Sequence, residues 1–401
     1  MIPSPQPPSI AFLSTYPPTS CGLATFTAAL QGAIADERGA ENGLTVVGLV
    51  DERSDGPPSR VVFEHLNGDA ASVVGAIGVL NSCDVVFVQH EYGIYGGRDG
   101  AEVLDLLAGL KVPAVVTLHT VLAKPSDNQR SILQKVIALS ARTIVMSATA
   151  QRRLIAGYSA DPAKVRVIPH GALGSPSGSS MATGTRPVVL TWGLIGPGKG
   201  LESAIAAVAG LQDLRPLPRY IILGKTHPKV HASQGDDYHE GLATRVDARG
   251  LNDVVEFDRR YVDIAGLTEA IRAADVVVLP YESTEQVTSG VLVEAIAAGK
   301  PVVATAFPHA VELLATGAGI VVPHGDPEAL GAALRTVLTN PTAAARMADE
   351  AARLGSTMHW PVVARRYHSL AAHLVARRRR ELAQTAAERR PKDDDRFAKV
   401  S

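Results

Sequence analysis

Short, almost purely apolar runs recur along this chain, and most are followed by a stretch whose apolar positions return every three or four residues. The runs at Ser9–Ser14, Leu44–Val50, Val85–Gln89, Ala114–Thr117, Thr143–Ser147 and Lys164–Pro169 predict strands buried on both faces. Helical periodicity follows at Leu23–Asp36, Ala101–Leu110, Ile132–Ser140 and Ala150–Ile155. The pattern then lapses over Ala172–Arg186, ALGSPSGSSMATGTR, which is small, polar and aperiodic and predicts a linker. It restarts with strands at Pro187–Trp192, Tyr220–Leu223, Val254–Phe257, Asp275–Leu279, Pro301–Ala304 and Gly319–Pro323. Helices are expected from Leu201, over Leu267–Ala273, Pro327–Thr339 and Ala343–Leu354, and finally over His359–Leu374. Strands alternating with helices predict parallel sheets, here one in each half.

Composition narrows the classes of function. A length of 401 residues suits two domains, and 46% apolar with 20% charged residues is ordinary for a globular protein. The formal net charge is −1 and aromatic residues make up only 4%, so neither a polyanion-seeking field nor a base-stacking surface is present. Nucleic acid is therefore not an expected partner. Cys21 and Cys83 are the only cysteines and form no CxxC pair, which argues against a disulfide framework or a thiolate metal site. The start, MIPSPQPPS, has no basic and apolar leader pattern, and no apolar run reaches membrane-spanning length, so a cytoplasmic location is expected. From Arg377 the composition changes to nine basic and five acidic residues. That stretch reads as a solvated helix end passing into a disordered tail, with weak attraction to an anionic membrane surface as the alternative. Its Asp393–Asp395 run has no histidine beside it and is not read as a metal site.

The densest chemistry lies in Pro280–Thr305, PYESTEQVTSGVLVEAIAAGKPVVAT. An apolar run, Val276–Leu279, opens into a polar loop; Val291, Leu292, Ala295 and Ile296 then follow at helical spacing, and Gly299 precedes a second apolar run. In a βαβ unit such a loop lies at a strand's carboxyl end and a helix's amino end, where ligands bind. Glu294, one turn beyond Ser289–Gly290, offers a strong acceptor for sugar or ribose hydroxyls; capping of the helix start by Ser289 or Thr288 is the plainer reading. The stretch resembles the Glu-x7-Glu segment of glycosyltransferase family 4, the retaining nucleotide-sugar glycosyltransferases. Glu294 stands at the second glutamate, which the resemblance assigns to the nucleotide ribose, and Gln286 stands at the first.

The resemblance extends from Thr15 to about Leu374. TYPPTSCGLATF lies where the family has a glycine-rich loop, with Gly22 matching and Cys21 in place of the paired glycine; a plain turn is the other reading. GLIGPGKG supplies Gly193, Gly196, Gly198, Lys199 and Gly200 before a helix. Backbone without side chains admits a diphosphate and the lysine adds a point charge. Lys199 matches the family's lysine, but Leu194 stands where an arginine is usual. Lys225, Arg259 and Arg260, each after a predicted strand, are the candidate substitutes, and a solvated strand end is the equal alternative for the two arginines. In the first half, His90, Glu91, Gly96 and Gly97 follow one strand and His119 ends the next. His119 matches a histidine on the acceptor side in the family.

The resemblance implies two facing Rossmann-like doubly wound domains of the GT-B type with the site between them: residues 1–171 on the acceptor side, a linker at 172–186, 187–358 on the donor side, a helix at 359–376 crossing back, and the charged tail 377–401. It implies transfer of a hexose, mannose ahead of glucose, from GDP-mannose or UDP-glucose to a carbohydrate or glycoconjugate hydroxyl with retention of configuration. Lys199 would take the diphosphate, Glu294 the ribose, and Gln286 with Thr288, Ser289 and Gly290 the donor sugar, with no metal and no further cofactor. A non-catalytic sugar-nucleotide binder and a sugar phosphorylase are the rival readings.

Overall fold

The computed structural model describes residues 7–54, 56, 58–174 and 186–388. Two parallel sheets organise them. The first contains β1 (Ile10–Ser14), β2 (Leu44–Val50), β3 (Val61–Leu66), β4 (Val85–His90), β5 (Ala114–Leu118), β6 (Arg142–Val145) and β7 (Val165–Val167). Their order across the sheet is β3-β2-β1-β4-β5-β6-β7. The second contains β8 (Val188–Trp192), β9 (Arg219–Leu223), β10 (Val255–Asp258), β11 (Val276–Leu279), β12 (Val302–Thr305) and β13 (Gly319–Val322), in the order β10-β9-β8-β11-β12-β13. Both are doubly wound α/β layers, as the alternating pattern predicts. In both, strand order reverses beside the first strand, between β1 and β4 and between β8 and β11. Doubly wound sheets bind ligands beyond the carboxyl ends of the strands at such a reversal.

The central strands are apolar without alternation because helices cover both sheet faces. In the first sheet Leu13, Val86, Val88 and Val116 pack on one side, and Ile10, Phe12, Phe87 and Val115 on the other. The last helix, Trp360–Glu388, joins this second group through Trp360, Val363, Tyr367, Ala371, Leu374 and Val375, although it follows the second sheet in sequence. Tyr367 meets Phe87 edge to face at 5.5 Å and shares a hydrogen bond with Thr117. The strand-like pairing of Ala172 with His359 places the chain leaving the first sheet beside the start of that helix. Residues 175–185 of the expected linker lie outside the described residues.

Sequence pattern ends the final helix at 376 and starts a tail at Arg377, whereas the structure continues the helix to Glu388. The reason is local: ELAQTAA is a strong helix-forming run, and Arg377 bonds Glu381 one turn on. Arg378 also reaches the Lys111 carbonyl and Arg379 the Asp84 carboxylate. These contacts are exposed and of small worth. Truncation after Ala376 is therefore expected to lower stability by less than about 1 kcal/mol, whereas Tyr367→Ala should cost about 3–5 kcal/mol, as denaturant unfolding would measure. Residues 389–401, with Asp393–Asp395, lie outside the described residues. Among the described residues no helix is long and apolar enough to cross a membrane.

Candidate functional site

The two reversal points meet. The loop after β1 carries Ser20, Cys21 and Gly22 into the Gly22–Arg38 helix; Cys21 caps that helix, its Sγ accepting from the Ala24 amide. Space beside Gly22 is open, so its backbone is accessible. From the second sheet, Lys225 after β9 extends its ammonium to the Ser20 hydroxyl, 3.1 Å away, and over the Tyr261 ring at 5.0 Å. The Lys225 side chain thus reaches from the second half to the first.

The glycine-rich turn after β8 is built by close backbone approach. A side chain at Gly224 would strike the Gly193 carbonyl at 1.9 Å, and one at Gly200 the Pro280 carbonyl at 1.8 Å. Gly200 also has φ +66, a left-handed conformation that favours glycine. Gly193 and Gly198 likewise have positive φ, and nothing lies within 4 Å of a side chain built at Gly198. The Glu282 amide donates to the Gly198 carbonyl, tying this turn to the loop after β11. Lys199 projects from it with Nζ 4.4 Å from the centroid of the Tyr281 ring, which in turn stacks on Phe307. The aromatic face holds the ammonium without neutralising it.

Ser289 caps the Gly290–Ala297 helix, its hydroxyl accepting from Leu292 N–H while its own amide donates to His309 Nδ1. A side chain at Gly290 would come within 3.0 Å of His170 Nε2, so glycine there lets the first half close onto this helix start. The Thr288 hydroxyl is buried without a partner among the described residues. The Gln286 amide turns back to donate to the Thr288 carbonyl. One turn into the helix, Glu294 accepts a hydrogen bond from Trp192 Nε1 at 3.2 Å. Enclosure of its carboxyl outweighs the Trp192 bond and pushes its pKa up to about 7. No cation among the described residues offsets that burial, so the carboxyl is poised for hydroxyl donors.

On the other side, His119 Nε2 is bonded to Gln89 Oε1 at 2.8 Å, and Phe26 lies edge-on to both His119 and His170 at 4.9 Å. Burial, with His170 and His90 adding to it, lowers the His119 pKa to about 3; burial lowers that of His170 to about 4. Both rings are neutral at physiological pH. Contacts from Lys225 to Ser20 and from His119 through Phe26 and His170 to Gly290 thus join the halves here.

Other residues singled out in the sequence are placed differently. His90 is buried against Tyr92 and Tyr95 with no partner for either ring nitrogen among the described residues, on the sheet face opposite Gln89. Glu91 accepts from Thr120 Oγ1 and the Tyr92 amide, and burial raises its pKa. Gly96 is small because the Glu102 carboxylate packs on it, 2.7 Å from where a Cβ would stand, and Gly97 opens the short turn before that glutamate. Arg260 is held in a two-point ion pair by Asp258, and Arg259 is exposed. A cavity of about 580 Å³ lies beside this arm, lined by Leu223, Asp258, Arg260 and Tyr261 among others.

Several residues were not legible from spacing. Trp192 ends β8 and Tyr281 lies just past β11, and no motif marks either. Glu285 accepts from the Ala123 amide and pairs with Arg153, and Glu312 accepts from the Ala148 and Thr149 amides and the Thr149 hydroxyl. Burial alone would raise the Glu312 pKa, but those hydrogen bonds hold it below the usual range. Both carboxylates fasten the second half to the first. Among the described residues, no group of three or more His, Cys, Asp or Glu is placed to hold a metal ion.

Known proteins share this architecture. The family described as "Glycosyltransferase Family 4" matches residues 39–172, and "Glycosyl transferases group 1" matches residues 179–354. The chain is 32% identical over 287 residues to the D-inositol 3-phosphate glycosyltransferase of Kineococcus radiotolerans, covering 63% of this chain and 64% of that protein, under two thirds of its length. It is 34% identical over 169 residues to the phosphatidyl-myo-inositol mannosyltransferase of Mycobacterium leprae, covering 42% and 41%. In fold it resembles the crystal structure of Anabaena Alr3699/HepE in complex with UDP and glucose, with a TM-score of 0.70 at 19% identity over 91% of this chain and 100% of that one.

Proposed function

The chain belongs to the family 4 glycosyltransferases, and on that premise we propose that it transfers a hexose from a nucleoside diphosphate sugar to an acceptor hydroxyl, with retention of configuration and without a metal ion. The observation that carries this reading is the grouping of two ammonium groups, a glycine-rich turn and an enclosed carboxyl around the ends of β8, β9 and β11. The diphosphate lies against the turn and Lys199, with Lys225 as second cation; the ribose hydroxyls donate to Glu294. The donor sugar faces the Thr288–Gly290 backbone, where a helix start turns N–H groups outward. The acceptor enters from the side of His119. With no carboxylate pair assigned to double displacement, the protein acts by positioning both substrates and stabilising charge on the departing diphosphate.

The donor is GDP-mannose in preference to UDP-glucose. The name of one relative points to mannosyl transfer and the names of both to an inositol-bearing acceptor, while the UDP and glucose bound by the structural neighbour keep the second donor in play. The test is magnetic-resonance detection of transfer across both donors, with inositol 3-phosphate, phosphatidylinositol and simple sugars as acceptors. A new glycosidic bond with the donor's anomeric configuration is the expected result. Nucleotide binding without turnover would identify a non-catalytic binder, and phosphate-dependent cleavage of a glycoside a phosphorylase.

Two ammonium groups and a helix start can neutralise the diphosphate unaided. Turnover is accordingly expected to survive EDTA. Loss on chelation and recovery with Mg²⁺ or Mn²⁺ would show that a cation is part of the site.

A further inference from the structure

Gln89 is fully buried near the end of β4, on the sheet face that also carries Val85 and Phe87. Its Oε1 lies 2.8 Å from His119 Nε2, while its own Nε2 has no hydrogen-bond partner among the described residues. A buried amide in an apolar layer is costly, and leaving its donors unmatched is more so. In the orientation that the structure shows, the amide oxygen faces the ring. A carbonyl oxygen only accepts, so the shared proton resides on His119 Nε2. A neutral imidazole carries one N–H, which leaves Nδ1 with its lone pair. That nitrogen has no partner among the described residues, on a side chain that is only half-buried, whereas Gln89 Nε2 and both His90 nitrogens are sealed.

We propose that Gln89 is a positioning residue that fixes His119 in the Nε2–H tautomer, so that the open Nδ1 accepts a hydrogen bond from the acceptor hydroxyl. The second half rests on the transferase reading above; the first half does not. The titratable groups acting on the His119 ring are His170 and His90, both of which disfavour its protonation, and no carboxylate among the described residues acts on it. The ring is therefore a neutral acceptor throughout the working range, and its tautomer, not its charge, decides which nitrogen meets the substrate. The backbone holds it in place as well, through the His119 amide to the His90 carbonyl, and the edge of Phe26 packs against it.

The first readout is nitrogen-15 magnetic resonance of the ligand-free protein. His119 should show a protonated Nε2 and a bare Nδ1 between pH 5 and 8. Gln89→Leu should lose that preference. Gln89→Glu, nearly isosteric and so the variant best able to keep the fold, should retain Nε2–H and raise the His119 pKa by at least about one unit, because an anion then faces the ring. The second readout is kinetic. Gln89→Leu should lower kcat by about ten- to a hundredfold with little change in the donor KM, and Gln89→Glu should recover most of that rate above the new His119 pKa. A wild-type proton on Nδ1, or an unchanged tautomer in Gln89→Leu, would overturn the proposal. So would a lost tautomer with wild-type kcat. The resonance measurements need no substrate, so failure to find any transfer would count against the transferase reading alone.

Discussion

Lys199→Ala is expected to abolish turnover, and Lys225→Ala to lower it about a hundred- to a thousandfold, the usual cost of losing a donor to developing charge. Leu194 stands where a family 4 enzyme usually carries an arginine, so under the proposed function the cation opposite Lys199 would come from another strand end. Lys225, Arg259 and Arg260 are the available groups, and the structure separates them. Asp258 holds the Arg260 guanidinium by two hydrogen bonds, at 2.9 and 2.6 Å. Arg259 is exposed, and its charge acts on His239. Lys225 instead lies over Tyr261 and reaches Ser20, so its ammonium stands at the junction where the diphosphate would lie. Arg259→Ala and Arg260→Ala should therefore retain kcat within a few-fold. Steady-state kinetics on folded variants, with nucleotide binding followed by thermal shift, decides the matter. Near wild-type turnover in Lys225→Ala would mean that the second charge lies elsewhere. Unchanged nucleotide binding in Lys199→Ala would remove the diphosphate from this turn.

Lys225 also illustrates what the sequence could and could not convey. Strands such as β1, β4, β8 and β11 are legible because helices on both faces leave them continuously apolar, and the glycines of the turn after β8 are legible because backbone crowding admits nothing else. β3, VVFEHL, is an edge strand with mixed burial, and the Ala70–Leu80 helix after it has no polar stripe to mark its period. The polar Asp237–Asp247 helix buries only His239, Leu242 and Val246, too thin a signal against its charges. The junction contacts are harder still. Lys225 to Ser20 spans 205 residues and Trp192 to Glu294 spans 102, and no local spacing encodes such distances. His90 and His119 look equivalent as strand-end histidines, yet the period of two turns His90 to the face opposite Gln89, while the His119 ring bonds Gln89 itself.

Glu294 should bind nucleotide more tightly as pH rises from 6 to 8, and that dependence should vanish in Glu294→Gln. Its folded pKa is about 7 against an ordinary value of 4.5, because the carboxyl is enclosed and its one described donor is Trp192 Nε1. Ribose hydroxyls donating to it favour the ionised form, so binding near neutral pH releases a proton. Calorimetry in buffers of different ionisation enthalpy measures that release directly. Loss of the charge-assisted bond in Glu294→Ala should weaken nucleoside diphosphate binding by about 1.5–3 kcal/mol, roughly ten- to a hundredfold. Stability should move in the opposite sense. A raised carboxyl pKa means that the folded state holds a proton the unfolded chain has released between about pH 4.5 and 7, so this group destabilises the fold progressively as pH rises through that window. Above pH 7 the cost is on the order of 3 kcal/mol. Ligand-free Glu294→Gln should accordingly gain stability at pH 8, and the gain should shrink towards pH 5. A folded alanine variant with unchanged nucleotide affinity would place Glu294 outside the site. Affinity that ignores pH in the wild type would mean that another group receives the ribose. Denaturant unfolding of the ligand-free proteins tests the enclosure by itself, since no nucleotide is present. If Glu294→Gln is no more stable than wild type at pH 8, the carboxyl ionises without penalty, and any proton released on binding comes from a different group.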